Sequence, residues 1–167
     1  IGEYARLSDL TVISRASHEM VSDWETNLEA ALFESGRPVL LVPDRDYNDI
    51  SSHVVIAWNG STETAATIAV AMPMIERAEK VTVLAVEGGS VSGPTAFQVA
   101  EKLALHGVSV EARVEANRSG SVGETILEQA MALGANLLVK GAYTQNRLRQ
   151  MIFGGPTRHI IAHSELP

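Results

Sequence analysis

Six short apolar runs, each cut off from the next by turn residues or by a helical pattern, constrain this 167-residue chain more than any other feature. They read LTVIS (10–14), PVLLVP (38–43), HVVIAW (53–58), KVTVLAVE (80–87), VSVEARVEA (108–116) and NLLVKGAY (136–143). Most lack the in/out alternation of a strand with one wet face. Such continuously apolar, β-branched runs fit strands covered on both sides, as in a parallel sheet. Helical patterns fill the gaps. Residues 62–79 place Ala65, Ile68, Ala69, Met72 and Ile75 at helical spacing behind Ser61 or Thr62, either of which can cap the start. Pro73 should kink that helix. Residues 94–106 open on Pro94 and close at Gly107, and residues 121–133 close at Gly134, the usual proline-start and glycine-stop asymmetry. Alternating strands and helices give an α/β fold with right-handed crossovers.

The organisation along the chain is uneven. EGGSVSG (87–93) reads as a polar loop and DRDYNDISS (44–52) as a linker. ARLSDLTVIS (5–14) resembles ALGANLLVKG (132–141) in pattern, and SGRPVLLVP (35–43) aligns with the closing SELP (164–167) at the serine and proline. The repeat predicts that residues 1–43 form the C-terminal part of one α/β unit. Residues 53–167 would then form a second unit lacking its last strand. The opening on Ile1 fits a true start that lies upstream.

Composition narrows the function classes. A net charge of −7 opposes general affinity for nucleic acid or an anionic membrane, because both need a positive field. Without cysteine there is no disulfide, thiolate metal site or cysteine nucleophile. No apolar run approaches the roughly 18 residues of a membrane span, and the N-terminal stretch lacks a signal-peptide layout, so a cytoplasmic location is the expectation. GxxxxGK[ST] and GxGxxG are absent, and GGSVSG (88–93) has Val91 where a nucleophile elbow needs serine. No general base stands near a nucleophile, so no catalytic site is expected. The acidic residues Asp9, Glu19, Asp23, Glu25, Glu29 and Glu34 fit a solvated helix. His159 and His163 sit four apart, a zinc-compatible spacing, but no third ligand accompanies them at motif spacing.

Two loops follow the ends of strands, where open parallel sheets bind ligands. One is AWNGS (57–61). The other starts at Gly141, passes Thr144 and reaches Gly154-Gly155-Pro156-Thr157. Paired glycines let the backbone approach a ligand, and a helix starting near Pro156 would aim free N–H groups at an anion. Turn formation and helix capping by the same glycines is the competing reading. Arg147, Arg149 and Arg158 can neutralise phosphate or simply form a solvated basic face.

On these residues the chain resembles the universal stress protein family, in its tandem two-domain form. That family's last loop reads Gly, two residues, Gly, nine residues, Gly, then Ser or Thr, and it cradles the phosphates of ATP. Here Gly141 matches the first glycine, Thr144 stands at the second, Gly154 matches the third, and Gly155 replaces the Ser or Thr. Thr157 matches a further phosphate-contacting position. Asn59 stands where the family usually has Asp near the adenosine, followed by Gly60 and Ser61.

The resemblance implies an adenine nucleotide alpha-hydrolase-like, Rossmann-like fold with an open, mostly parallel sheet and helices on both faces. It also implies a regulatory role in stress response, with ATP or AMP bound at the strand ends and Mg²⁺ recruited by the nucleotide. Ala57, Asn59 and Val86 would meet the nucleoside, with the Asn59 carbonyl accepting from ribose, and Gly141, Thr144, Gly154, Gly155 and Thr157 the phosphates. Val39 to Val42 would be a strand that pairs with a second unit or a second copy. A nucleotide-free dimerisation module is the alternative.

Overall fold

The computed structural model describes residues 1–15, 21–118, 120–142 and 155–167. The chain divides into two units, residues 1–48 with 165–167, and residues 49–164.

The smaller unit runs α1 (Gly2–Ala5), β1 (Thr11–Ser14), α2 (Val21–Glu34) and β2 (Val39–Val42). β1 and β2 are parallel, with Thr11 opposite Val39 and Ser14 opposite Val42. Helix α2 is anchored by Leu28 and Ala31, both fully buried, and by the Trp24 indole, which donates to the Ser14 carbonyl at 2.7 Å. Closing the helix, Ser35 bonds back to the Ala31 carbonyl and receives the Arg37 N–H at 3.0 Å. The strand predicted at 38–43 is β2, half-buried along its whole length.

The larger unit holds β3 (His53–Ala57), α3 (Thr62–Ile75), β4 (Lys80–Val86), α4 (Ala96–Ala104), β5 (Val110–Glu115), α5 (Val122–Ala132), β6 (Leu137–Lys140) and α6 (Gly155–His163). Its four strands are parallel in the order β5-β4-β3-β6. The apolar runs named the central strands correctly: Val54, Val55, Ile56, Val81, Val83 and Leu84 are buried to 1% exposure or less. From β3 to β5 the chain steps one way across the sheet, then returns past β3 to β6. Right-handed crossovers therefore put α3 and α4 on one face and α5 on the other. Ile126 of α5 and Ile160 of α6 pack with Ala57 and Val86, so α5 and α6 share a face.

Element boundaries moved where local chemistry overrode periodicity. Ser61 rather than Thr62 caps α3, its hydroxyl accepting from the Thr64 N–H. The helix runs through Pro73, which cannot donate to the Ala69 carbonyl, and ends at Ile75 instead of 79, where the last turn tightens, Arg77 bonding back to Met74 at 3.3 Å and Ala78 to Ile75 at 3.2 Å. Thr95, not Pro94, sets the start of α4, through a reciprocal capping box with Gln98. Among the described residues no helix is long and apolar enough to cross a membrane.

Candidate functional site

The strand order reverses between β3 and β6, where Ala57 and Lys140 are paired residues at the carboxyl ends. A crevice outside this reversal is where open parallel sheets place ligands. Gly141 follows β6 directly and Asn59 lies two residues beyond β3, while the first turn of α6 is tied to the end of β6 through Thr157.

The sequence-nominated residues among the described ones can be placed against this point one by one. The Ala57 and Val86 side chains are 3% exposed and packed against Ile126 and Ile160. Both side chains belong to the core, and only their backbone can face a ligand. Asn59 Oδ1 accepts from the Thr64 hydroxyl at 2.7 Å and from the Ser61 N–H at 3.2 Å. The carbonyl expected to receive a ribose hydroxyl is thus already accepting two hydrogen bonds at the start of α3. The Asn59 amide N–H₂ is the group it can offer instead.

Gly141 is buried, and its missing side chain is explained by protein rather than ligand. A Cβ there would meet the Thr64 backbone nitrogen, the Thr64 hydroxyl at 2.6 Å and the Glu63 carbonyl carbon at 2.7 Å. Gly155 is exposed with φ +69, a left-handed conformation that β-branched residues resist. The serine or threonine of the family pattern is absent where the backbone disfavours one. Thr144 and Gly154, with Arg147 and Arg149, lie outside the described residues.

Thr157 brings in a residue that periodicity did not single out. Lys140 Nζ donates to the Thr157 hydroxyl at 3.1 Å and to the Gly141 carbonyl at 3.0 Å. Burial pushes its ammonium below the ordinary lysine range. The signal was in the sequence, a lysine closing the apolar run NLLVK, but a strand-end lysine usually reaches solvent.

An open groove of about 790 Å³ is lined by Gly88, Gly89, Gly120, Ser121, Pro156 and His163, among others. Arg158 also borders it and is exposed, while His159 and His163 stack with ring centres 4.3 Å apart. His163 Nδ1 lies 2.9 Å from the His159 carbonyl, so one of its ring nitrogens is tied to its own helix. No group of three metal-ligating side chains occurs among the described residues.

A sequence model of the universal stress protein family matches residues 51–167. The chain belongs to this family. A 48-residue stretch is 38% identical to the stress response protein NhaX of Bacillus subtilis (strain 168), covering 29% of each chain. A universal stress protein structure from Archaeoglobus fulgidus DSM 4304 superposes with a TM-score of 0.74 at 17% identity, covering 98% of this chain. This chain spans 60% of that protein's length. UspA from Lactobacillus plantarum superposes with a TM-score of 0.55 at 16% identity, covering 71% of this chain and 96% of its own. The parallel α/β architecture is thus that of universal stress proteins, and membership supports a role in stress response.

Proposed function

We propose that the larger unit is a regulatory module that binds an adenine nucleotide, ATP or AMP, at the carboxyl ends of β3 and β6. The observation that carries this reading is the gathering of Lys140, Gly141 and Thr157 at the reversal of strand order. A hydroxyl, an ammonium and a helix start there suit phosphate oxygens. Asn59 would meet the nucleoside through its amide, beside backbone of Ala57 and Val86. Gly155 and Thr157, together with Thr144 and Gly154 of the family pattern, would meet the phosphates, with Mg²⁺ arriving on the nucleotide. Binding, not turnover, is the activity in this reading, and the cytoplasm its location.

A nucleotide-free interaction module is favoured by one set of facts. Gly141, the Asn59 carbonyl and the Ala57 and Val86 side chains all have structural partners already. In either case residues 1–43 are read as part of another such unit, their β1-α2-β2 order repeating the strand and helix plan. Strand β2 would pair with a second unit or a second copy of the chain. Calorimetric titration of the full chain with ATP and AMP decides between the readings. Saturable binding supports the nucleotide module, and no heat at millimolar nucleotide supports the interaction module.

A further inference from the structure

Lys140 is the last residue of β6 and faces the paired Ala57 across the point where strand order reverses. Along β6, Leu137 and Val139 are buried and Leu138 packs against the Ala57, Val86, Ile126 and Ile160 cluster. Side chains alternate along a strand, so Leu138 and Lys140 share a face. The lysine stem therefore runs along apolar surface toward the first turn of α6. Its ammonium ends between two neutral acceptors, the Gly141 carbonyl and the Thr157 hydroxyl.

An ammonium has three N–H donors, and these two bonds engage two of them. Among the described residues the bonds of Nζ go to these two neutral oxygens and not to a carboxylate. The segment joining β6 to α6 brings none either: residues 143–154 read YTQNRLRQMIFG, without Asp or Glu. Holding a charge away from water without a counter-charge is unfavourable. An anion placed against the third donor removes that penalty. The same anion would lie near the start of α6, where the helix dipole favours negative charge.

We propose that Lys140 is the phosphate anchor of the larger unit, its ammonium binding a phosphoryl oxygen of the ligand while Gly141 and Thr157 hold it in position. The choice of a nucleotide as the phosphate carrier rests on the function proposed above. The anchoring itself rests on the lysine. Phosphate binding then favours the protonated amine, so affinity falls as the pH rises through the amine's titration.

The test uses the full chain and three probes, AMP, adenosine and inorganic pyrophosphate, with Lys140→Met and Lys140→Gln as variants. Both variants remove the charge at similar side-chain length, and thermal unfolding without ligand establishes that each is folded. The expected result is roughly a ten- to hundredfold loss of AMP and pyrophosphate affinity in both, with adenosine binding unchanged. In the wild type AMP binding weakens with rising pH above neutrality, and in the variants that dependence is lost. If a folded variant binds AMP and pyrophosphate as the wild type does, the anchor is overturned. Equal wild-type affinity for AMP and adenosine would overturn it while leaving an adenosine site standing. Lysine-dependent pyrophosphate binding without adenosine or AMP binding would keep the anchor and remove the nucleotide reading. Binding of no probe by the wild type removes both.

Discussion

Gly141 lies directly against Thr64: a Cβ at residue 141 would stand 2.6 Å from the Thr64 hydroxyl and closer still to its backbone nitrogen. The end of β6 is thereby pressed onto the first turn of α3. That contact holds together the segments that follow β3 and β6 without any ligand. Gly141→Ala should destabilise the ligand-free chain by about 1–3 kcal/mol, because backbone must shift to admit a methyl group. Urea unfolding followed through Trp24 and Trp58 fluorescence measures it. An alanine variant as stable as the wild type would return Gly141 to a purely ligand-facing role.

Asn59 ties the same turn from the other side. Replacing it with alanine leaves the Thr64 hydroxyl and the Ser61 N–H without their shared acceptor, and should cost about 1–3 kcal/mol. Asn59→Asp keeps the acceptor and adds negative charge at the start of α3. It should match or exceed wild-type stability by about 0.3–1 kcal/mol at neutral pH. A carboxylate hydrogen-bonded in the fold has a lowered pKa, so that advantage is present above the unfolded value and disappears as pH falls through the folded one. Urea midpoints of the three proteins at neutral and acidic pH check both statements.

The amino ends of the strands carry a separate polar chain. His53 Nε2 lies 3.0 Å from the fully buried Thr82 hydroxyl, which donates to Glu111 at 3.2 Å, and Glu111 pairs with Lys80 and Arg113. Burial first, and the Lys80 charge second, hold the His53 imidazole below the ordinary histidine value. Hydrogen bonds from Lys80 and Arg113 hold the Glu111 carboxyl below its ordinary value. Both shifts act with the same sign. As pH falls, the unfolded chain takes up each proton before the folded one, so stability is lost, first in the histidine window and then in the carboxylate window. Replacing His53 with glutamine should flatten the first phase and leave the second. Thermal midpoints measured across both windows test this, and an unchanged first phase would exclude His53 as its source.

How much of this was legible depended on how local each cause was. The buried strands were legible because β-branched runs covered on both faces leave a continuous apolar signature, and Val54 to Ile56 and Val81 to Leu84 carry it. Helix α1, only four residues long, has no period to read. Pro73 announced a disturbance in α3, but where the helix stops depends on how the last turn tightens. The glycine at 141 was visible as a glycine, while its cause, Thr64, lies on a different element far upstream. Lys140 is inconspicuous in the sequence for a related reason: a lysine ending a strand is ordinary until the fold shows that its ammonium stops at Thr157 and Gly141.

Gly155 poses the sharpest test of the family pattern against this fold. Serine or threonine is the family's residue at this position, yet here the backbone has φ +69, and the site has open space around a would-be Cβ. Space is therefore not the obstacle to a side chain, and conformation is. Gly155→Thr should lower stability by roughly 1–2 kcal/mol, with Gly155→Asn tolerated better because asparagine enters the left-handed region more readily. If threonine at 155 leaves the urea midpoint unchanged, the start of α6 adapts without penalty, and the glycine is not required by its backbone. If stability falls as expected while nucleotide affinity rises, the added hydroxyl has joined the phosphate contacts, and the family's preference and this chain's departure from it have the same structural origin.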